Sequence, residues 1–205
     1  IQLRPSVPSS WLTKPRSVSK RNIQVVEPET AGTAQAAIAD GKTFLCICGG
    51  YQLMGKYYRD ADGSEIKGLG LFDYYTVAPA SRRKRCIGNI VIETQKTGVP
   101  VKVVGFENHG GQTMGVKSPF GKVLCGNGNC SKSENEGYCE KNVIATYLHG
   151  PLLAKNPEIS DHIIGYCMQR KLNAGGSAEK YELPKLDDTL EIKCRSVMLE
   201  RLLKK

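Results

Sequence analysis

The sequence predicts an α/β fold, and three observations along the chain support this prediction. Near residue 48, a short apolar run typical of a buried strand stops at a cysteine and two glycines, and a helix-compatible segment follows. The middle of the chain contains short alternating segments separated by glycine and proline, which favour hairpins. Two stretches near the end carry apolar residues at helical spacing. A strand-to-helix unit, a β-rich middle and closing helices together indicate a mixed α/β domain.

Local patterns predict the individual elements. Strands are expected at residues 43–47, 86–93, 101–108, 123–125 and 143–148, with a short strand or loop edge at 22–27. Helices are expected at 33–40, 51–59, 158–172 and 189–203, and a turn at 60–63. We interpret the apolar faces of the last two helices as packing faces.

Composition and length set limits on the class of protein. The 205 residues fit one domain, and the 40% hydrophobic and 24% charged content suits a soluble globular protein. Residues 1–22 contain three prolines and five cations without an acid, so we expect them to be irregular and the domain to comprise 23–205. No apolar run approaches ~18 residues, so we expect neither a membrane span nor a secretory signal. Eight cysteines without a recurring spacing indicate free thiols and a cytoplasmic location.

The net charge of +9 raises the question of a polyanionic partner. The cations concentrate in residues 1–22, in the run 82–85 and at the last two residues, which is typical of solvated tails and a loop. No nucleic-acid-binding motif accompanies them, so we do not predict nucleic-acid binding. A polyanionic or membrane-linked substrate would suit the charge equally well.

Cys48 is the strongest candidate for chemistry. The layout of strand, cysteine, glycine turn and helix is that of a nucleophile elbow, in which a strained turn exposes the central side chain. The first helical N–H groups would then point at the sulfur and lower the thiol pKa. The alternative is that Cys48 is a small buried core residue, as many free cysteines are.

A cysteine nucleophile needs a base, and the chain offers three histidines. His149 ends a predicted strand before Gly150, which places it well to face a site. His109 also lies at a strand end and is the rival candidate. His162 lies on a predicted helix and is expected to be a surface residue.

Five blocks of sequence resemble a known family in register and in the expected order. They are residues 47–55 (ICGGYQLMG), 68–73 (GLGLFD), 85–89 (RCIGN), 105–111 (GFENHGG) and 146–153 (TYLHGPLL), followed by Asn156-Pro157. Together they are similar to class I glutamine amidotransferases of the cobyric-acid-synthase-like branch. Within it they are most similar to the GatD-type glutaminase subunits of lipid II isoglutaminyl synthase. The resemblance covers residues 35–172 and implies a three-layer αβα, flavodoxin-like domain.

The resemblance also implies roles for individual residues. Cys48 matches the family nucleophile and His149 the family base. Arg85 matches an arginine that holds the α-carboxylate of glutamine, and Gln52 lies where the family places a glutamine near the substrate. The N–H of Gly49 would serve as an oxyanion-hole donor. The block that contains His109 is implied to shape the pocket, and no metal is implied.

The implied reaction is glutamine hydrolysis through a γ-glutamyl thioester, with ammonia passed to a synthetase. The expected partner is a Mur-ligase-like subunit, MurT, which would use ATP and magnesium to amidate the D-glutamate α-carboxyl of lipid II to D-isoglutamine. No cofactor is expected in this chain itself. The alternatives are an amidotransferase that serves corrinoid side-chain amidation, or an inactive truncated amidotransferase fragment.

Two departures from the family pattern stand out. Pro151 occupies the position where ordinary triad enzymes carry a carboxylate, and Glu158 and Asp161 follow on a predicted helix. This favours the branch that works with a Cys-His pair. Upstream of Cys48, Gly32 and Gly41 are the only glycines, so we expect the N-terminal strands and the second oxyanion donor to be missing. Losing such a donor typically lowers turnover about 10²- to 10³-fold.

A second cysteine pattern is weaker. Cys125, Cys130 and Cys139 are spaced at intervals that lack the CxxC knuckle of common zinc sites. The alternatives are a zinc site or scattered free thiols in a polar loop, and the spacing favours the thiols.

Overall fold

The computed structural model describes residues 28–79, 85–98, 100–150 and 152–204. The expected irregular segment 1–22, its boundary with the domain and the expected strand at 22–27 lie outside the described residues. So do three of the four cations in the run 82–85.

The described ranges contain five helices and twelve strands. The helices are α1 (Pro28–Ala39), α2 (Gly49–Met54), α3 (Leu152–Lys155), α4 (Pro157–Ala174) and α5 (Thr189–Leu203). The strands are β1 (Phe44–Ile47), β2 (Tyr57–Arg59), β3 (Glu65–Lys67), β4 (Tyr75–Val77), β5 (Cys86–Thr94), β6 (Val101–His109), β7 (Gln112–Met114), β8 (Gly121–Cys125), β9 (Asn135–Glu136), β10 (Tyr138–Glu140), β11 (Val143–Thr146) and β12 (Leu148–His149). The predicted α/β class is confirmed.

The first sheet carries the elbow. Its order is β1-β11-β10, in which β1 runs parallel to β11 with Ile47 opposite Thr146. The carboxyl ends of β1 and β11 therefore lie side by side, at the position where open α/β sheets place ligands. β1 was predicted to be buried, but its residues are half-buried or exposed, because it pairs on one side only within the described ranges.

The second sheet has the order β12-β6-β5-β8-β9 and is antiparallel. Its centre is the predicted hairpin of β5 and β6, in register from Cys86 opposite His109 to Thr94 opposite Val101. The predicted strand at 143–148 is interrupted at Tyr147. After Tyr147 the chain leaves the first sheet and enters the second, where His149 pairs with Phe106.

The third sheet, β3-β2-β4-β7, contains a correction to the sequence prediction. Residues 57–59 were expected to continue the elbow helix, but they form β2. The helix ends at Gly55, where a Cβ atom would lie 2.7 Å from the Tyr74 ring, so the backbone passes too close for a side chain. Beyond Gly55, two β-favouring tyrosines pair with β3 and with β4. The predicted turn at 60–63 joins β2 to β3, with the Asp60 N–H donating to the Ser64 carbonyl.

Two apolar clusters hold these sheets together. One lies between the hairpin and the start of α4 and includes Ile90, Val103, Leu148 and Ile159. The other lies under α2 and is largely aromatic, with Tyr51, Tyr74 and Tyr147 fully or almost fully buried. The elbow helix and the end of β11 therefore pack on the same cluster.

The two closing helices have the predicted extents, but α4 is more deeply buried than α5. Pro157 and Ile159 of α4 are buried, and Asn156 ties its start to β6 through two hydrogen bonds of 2.9 Å with the Val104 backbone. No residue of α5 is buried, and Leu190 is 73% exposed. The predicted packing face of α5 lies against α3 and the strands β5, β6 and β8, although none of its residues is fully buried. No helix in these ranges is long and apolar enough to cross a bilayer.

Candidate functional site

Cys48 occupies the strained turn that the sequence predicted. It has φ 54° and ψ −106°, a backbone conformation that costs a non-glycine residue free energy. Its N–H donates to the Thr146 carbonyl at 2.9 Å, and its own carbonyl accepts from the Gln52 N–H at 3.0 Å. The strain thus falls on Cys48 itself and not on its glycine neighbours. At Gly49, a Cβ atom would meet nothing within 4 Å, so the space beside the turn is open.

The Cys48 thiol has competing influences on its pKa. Burial raises the pKa above its usual value, while the Gly49 N–H at the sulfur and the positive charge of Arg85 act in the opposite direction. Burial prevails, so the prediction that the helix start lowers the pKa is wrong for the net shift. The thiol therefore needs a base to become a thiolate near neutral pH.

His149 lies on the continuation of the strand next to Cys48. It is half-buried, and its Nδ1 lies 3.2 Å from the Phe106 carbonyl oxygen. A carbonyl only accepts hydrogen bonds, so Nδ1 carries the proton and Nε2 is the basic nitrogen. The backbone of β6 thus orients the imidazole, as a triad carboxylate would. No hydrogen bond joins Cys48 to His149 in the described part of the chain.

Arg85 lies just before β5, next to the end of β6. Its Nη2 donates to the Asn108 Oδ1 at 2.8 Å, and its Nη1 lies 3.3 Å from the position of a Cβ atom at Gly110. Its charge favours the ionised forms of the Cys48 thiol and the Tyr58 phenol, although burial first and Asp60 second raise the pKa of Tyr58 overall. The guanidinium therefore lies within electrostatic range of the sulfur.

Gln52 lies one helical turn beyond Cys48 and lines a cavity of about 250 Å³. The cavity is bounded by Gly49, Gln52, Leu53, Tyr58, Ile66, Lys67 and Gly68. A second cleft of about 510 Å³ is lined by Arg85, Gly110 and the acidic turn after β2, and Tyr58 borders both spaces. The described residues therefore bring Gly49 and Gln52 to one cavity and Arg85 to the adjoining one.

The rival histidine has a different environment. His109 is 2% exposed, and its ring stacks on that of Tyr147 with centroids 3.6 Å apart and planes 3° from parallel. Its Nδ1 donates to the Gly111 carbonyl at 2.7 Å, and its Nε2 lies 3.9 Å from the Glu107 Oε2. This arrangement supports a role in shaping the pocket. His162 lies on α4, where burial lowers its pKa.

The sequence patterns missed a buried polar network around the end of β11. The Tyr147 hydroxyl accepts from Gln52 Nε2 at 3.0 Å and lies 2.7 Å from Thr113 Oγ1. Burial raises the pKa of this phenol to about 12. The one available signal was that Tyr147 stands two residues before His149, on the same side of an extended segment.

Two buried glutamates belong to this network and titrate differently. Burial alone would raise the pKa of Glu107, but contacts from His109, Asn127 and Gly128 outweigh it and lower the pKa. Glu136 accepts from the Tyr147 N–H at 2.7 Å and from the Thr146 hydroxyl at 2.9 Å. Burial nevertheless raises the pKa of Glu136 to about 8. Glu107 is therefore ionised at neutral pH and Glu136 is mostly protonated.

The remaining thiols form no evident metal site. In the described ranges, no group of three or more His, Cys, Asp or Glu side chains is placed to hold a metal ion. Cys125, Cys130 and Cys139 are free thiols, of which Cys139 is buried.

Comparison with known proteins agrees with this geometry. The model of the CobB/CobQ-like glutamine amidotransferase domain matches residues 20–157. The chain is 42% identical over 165 residues to the lipid II isoglutaminyl synthase (glutamine-hydrolysing) subunit GatD of Staphylococcus aureus strain N315, covering 80% of this chain and 63% of that protein. It is 36% identical over 148 residues to the same-named subunit of Streptococcus pneumoniae strain R6, covering 71% of this chain and 54% of that protein.

A more distant similarity extends to another branch of the family. A probable cobyric acid synthase of Methanococcus maripaludis strain C5 is 32% identical over 143 residues, which cover 65% of this chain and 28% of that protein. The chain thus spans somewhat more than half the length of its GatD relatives. From the matched family model and the identity to these relatives, it follows that the chain belongs to the CobB/CobQ-like glutamine amidotransferase family.

Proposed function

We propose that the chain hydrolyses glutamine with Cys48 as nucleophile and His149 as base. One observation carries the proposal. Cys48 stands in a left-handed turn at the end of β1, and the adjacent parallel strand β11 leads into His149, whose Nδ1 is tied to the Phe106 carbonyl. This leaves a basic nitrogen on the segment that follows β11, the strand paired with β1, which ends at the sulfur.

The proposed reaction proceeds in two halves. In the first, His149 takes the thiol proton, and the Cys48 sulfur attacks the side-chain carbonyl carbon of glutamine. The Gly49 N–H stabilises the oxyanion, and His149 returns the proton to the departing ammonia, which leaves a γ-glutamyl thioester. In the second half, His149 takes a proton from water, and the resulting hydroxide attacks the thioester. Glutamate leaves, and the thiol is restored.

Arg85 and Gln52 are proposed to hold the substrate. A guanidinium matches a carboxylate with two parallel hydrogen bonds, which suits Arg85 to the α-carboxylate of glutamine. Arg85 and Gln52 line adjoining cavities, and Tyr58 forms part of both walls. Glutamine would thus extend between Arg85 and the sulfur.

The ammonia is proposed to pass to a Mur-ligase-like partner, MurT. With ATP and magnesium, that partner would convert the D-glutamate α-carboxyl of lipid II to D-isoglutamine in the cytoplasm, and this chain itself would need no cofactor. The names and identities of the two GatD relatives, at 42% and 36%, support this acceptor. Corrinoid amidation is the second candidate, supported by the 32% identity to a probable cobyric acid synthase.

The test uses two cysteines that lie two residues apart. Cys48→Ala is expected to abolish ammonia release from glutamine and covalent labelling by a glutamine-derived chloroketone. Cys46→Ala is the matched control, because burial raises the pKa of that thiol to about 11 and it lies within β1. Both variants are assayed alone and with the Mur-ligase-like partner. Labelling that persists in Cys48→Ala would contradict the assignment.

A further inference from the structure

We infer that Tyr147, Thr113 and Thr76 form a hydroxyl chain that fixes the side-chain amide of Gln52 and turns its carbonyl oxygen toward the substrate. This inference rests on the proposed function and adds three positioning residues to it. The chain runs from Gln52 Nε2 to the Tyr147 oxygen at 3.0 Å, on to Thr113 Oγ1 at 2.7 Å and from there to Thr76 Oγ1 at 2.9 Å.

The direction of the hydrogen bonds follows from the first donor. An amide nitrogen can only donate, so the phenol oxygen accepts from Gln52, and the phenol proton is left for Thr113. The Thr113 proton then goes to Thr76. With Nε2 held inward, the Gln52 oxygen is the group left for the cavity, and no described residue donates a hydrogen bond to it.

Burial makes this hydroxyl chain rigid. Tyr147 and Thr76 are 0% exposed and Thr113 is 2% exposed, so water does not compete for their hydrogen bonds. The Tyr147 ring is held by the stacked His109 on its face and by Tyr51, whose ring centroid is 5.0 Å away in an edge contact. The hydroxyl therefore has little freedom to follow a moving Gln52.

Gly111 provides the space that the amide needs. A Cβ atom at this position would lie 2.5 Å from Gln52 Nε2 and 2.6 Å from Thr76 Cγ2. Any side chain at Gly111 would therefore push the amide off the phenol. The backbone of this turn and the hydroxyl chain together enclose the amide nitrogen.

An acceptor at this point selects a ligand that presents an N–H group. Gly49, whose N–H reaches the Cys48 sulfur, lines the same cavity as Gln52. The Gln52 oxygen would then accept from glutamine, either from the reacting carboxamide or from the α-ammonium group. A freely rotating Gln52 would offer its NH₂ group about as often as its oxygen, and would bind glutamine less well.

The test is a double-mutant cycle on glutamine hydrolysis by the full chain. Tyr147→Phe removes one oxygen and is expected to raise the glutamine KM about 3- to 10-fold, with kcat changed less than about 2-fold. Gln52→Ala is expected to raise KM as well. Because Tyr147 acts through Gln52, the double variant should be no worse than Gln52→Ala alone. Additive effects, or an unchanged KM in Tyr147→Phe, would overturn the inference.

Two controls separate positioning from general stability. Tyr51→Phe removes another buried hydroxyl of the same cluster, which donates to Asn129 Oδ1 at 3.0 Å, and it should leave KM unchanged. A KM increase as large as that of Tyr147→Phe would overturn the inference. Thr113→Val should raise KM and Thr113→Ser should restore it, which gives the same test if Tyr147→Phe does not fold. If Thr113→Val leaves KM unchanged, the proposed hydroxyl chain is wrong.

Further measurements identify the substrate group and separate the two proposals. If the KM penalty of Tyr147→Phe persists with glutaramate, which lacks the α-ammonium, the Gln52 oxygen contacts the carboxamide. If it disappears, the contact is with the ammonium. Calorimetry on the Cys48→Ala background measures glutamine binding without turnover. If Cys48→Ala binds no glutamine and the unmodified chain shows no turnover, the proposed function is overturned together with this inference. If the unmodified chain turns over glutamine but the effects of the two substitutions are additive, only this inference is overturned.

Discussion

The two halves of the candidate site are built in opposite ways. The nucleophile stands on β1, a strand that is half-buried or exposed and paired on one side within the described ranges, and the space beside Gly49 is open. The base stands beyond β11, whose residues are all buried, at a junction held by Tyr147, Thr146 and Glu136. The difference indicates that the elbow provides strain and access, while the junction provides fixed orientation.

The largest expected effect comes from removing the base. His149→Gln should lower kcat for glutamine hydrolysis about 10²- to 10⁴-fold, the usual contribution of a positioned acid–base group. The half-buried position and the single bond to Phe106 predict little loss of thermal stability. Ammonia release and a melting curve measure the two effects. His109→Gln serves as the comparison. If that variant loses as much kcat without losing stability, His109 is again a candidate for the catalytic base.

The second expected effect is a pH dependence of stability that arises at the junction after β11. Because burial raises the pKa of Glu136 from 4.5 to about 8, the folded state keeps a proton that the unfolded state releases between these values. Stability should therefore fall as pH rises from about 4.5 to about 8, by on the order of 4–5 kcal/mol. Glu136→Gln cannot titrate and should lose this dependence. Urea unfolding of both proteins across this pH range measures it, and parallel curves would contradict the assignment.

A smaller loss of stability is expected when a side chain is added at the junction between β11 and β12. At Gly105 of β6, a Cβ atom would lie 2.7 Å from Leu148 Cγ, so Gly105→Ala must push β12 away. Overpacking of this kind costs about 1–3 kcal/mol. The midpoint of chemical unfolding should fall accordingly, and kcat should fall with it because His149 follows Leu148. A fully stable and active variant would show that the junction is less rigid than described.

The smallest effect on stability is expected at the elbow. Gly49→Ala places a Cβ atom in open space at a helical position, where alanine is favoured over glycine by up to about 1 kcal/mol. Unfolding should therefore show unchanged or slightly higher stability, while the methyl group narrows the cavity and raises KM. Gly50→Ala is the matched comparison, with its Cβ atom 3.6 Å from that of Cys46. A destabilised Gly49→Ala would remove the contrast between the two halves.

The parts of the structure that depend on local pattern could be predicted from the sequence. The strand before Cys48, the turn itself and the hairpin of β5 and β6 follow from apolar alternation and glycine placement. The segment Tyr57–Arg59 was assigned to the helix before it, because its own residues do not show that it pairs with β3 across the turn at 60–63 and with β4, which begins 16 residues beyond Arg59. The apolar residues of α5 have helical spacing, yet spacing alone does not show how deeply they are buried.

In the candidate site, too, local patterns identified some residues and contacts between distant segments determine the others. Cys48 and Arg85 were identified from motifs, and the histidines at 109 and 149 both stand at strand ends, which position alone cannot separate. Their difference is set by contacts with segments distant in sequence: His149 reaches the Phe106 backbone, whereas His109 stacks on Tyr147. Tyr147 was missed for the same reason, since its partners Gln52 and Thr113 lie 95 and 34 residues away.

The switch of the chain at Tyr147 from one sheet to another has a mechanical consequence. The sulfur belongs to the sheet of β1 and the imidazole to the sheet of β6, so the distance between them depends on how the two sheets pack against each other. A misplacement of about 1 Å between reacting groups can lower a rate about 100-fold. We therefore expect substitutions that change the packing of these two sheets to lower turnover even where they touch neither reacting atom.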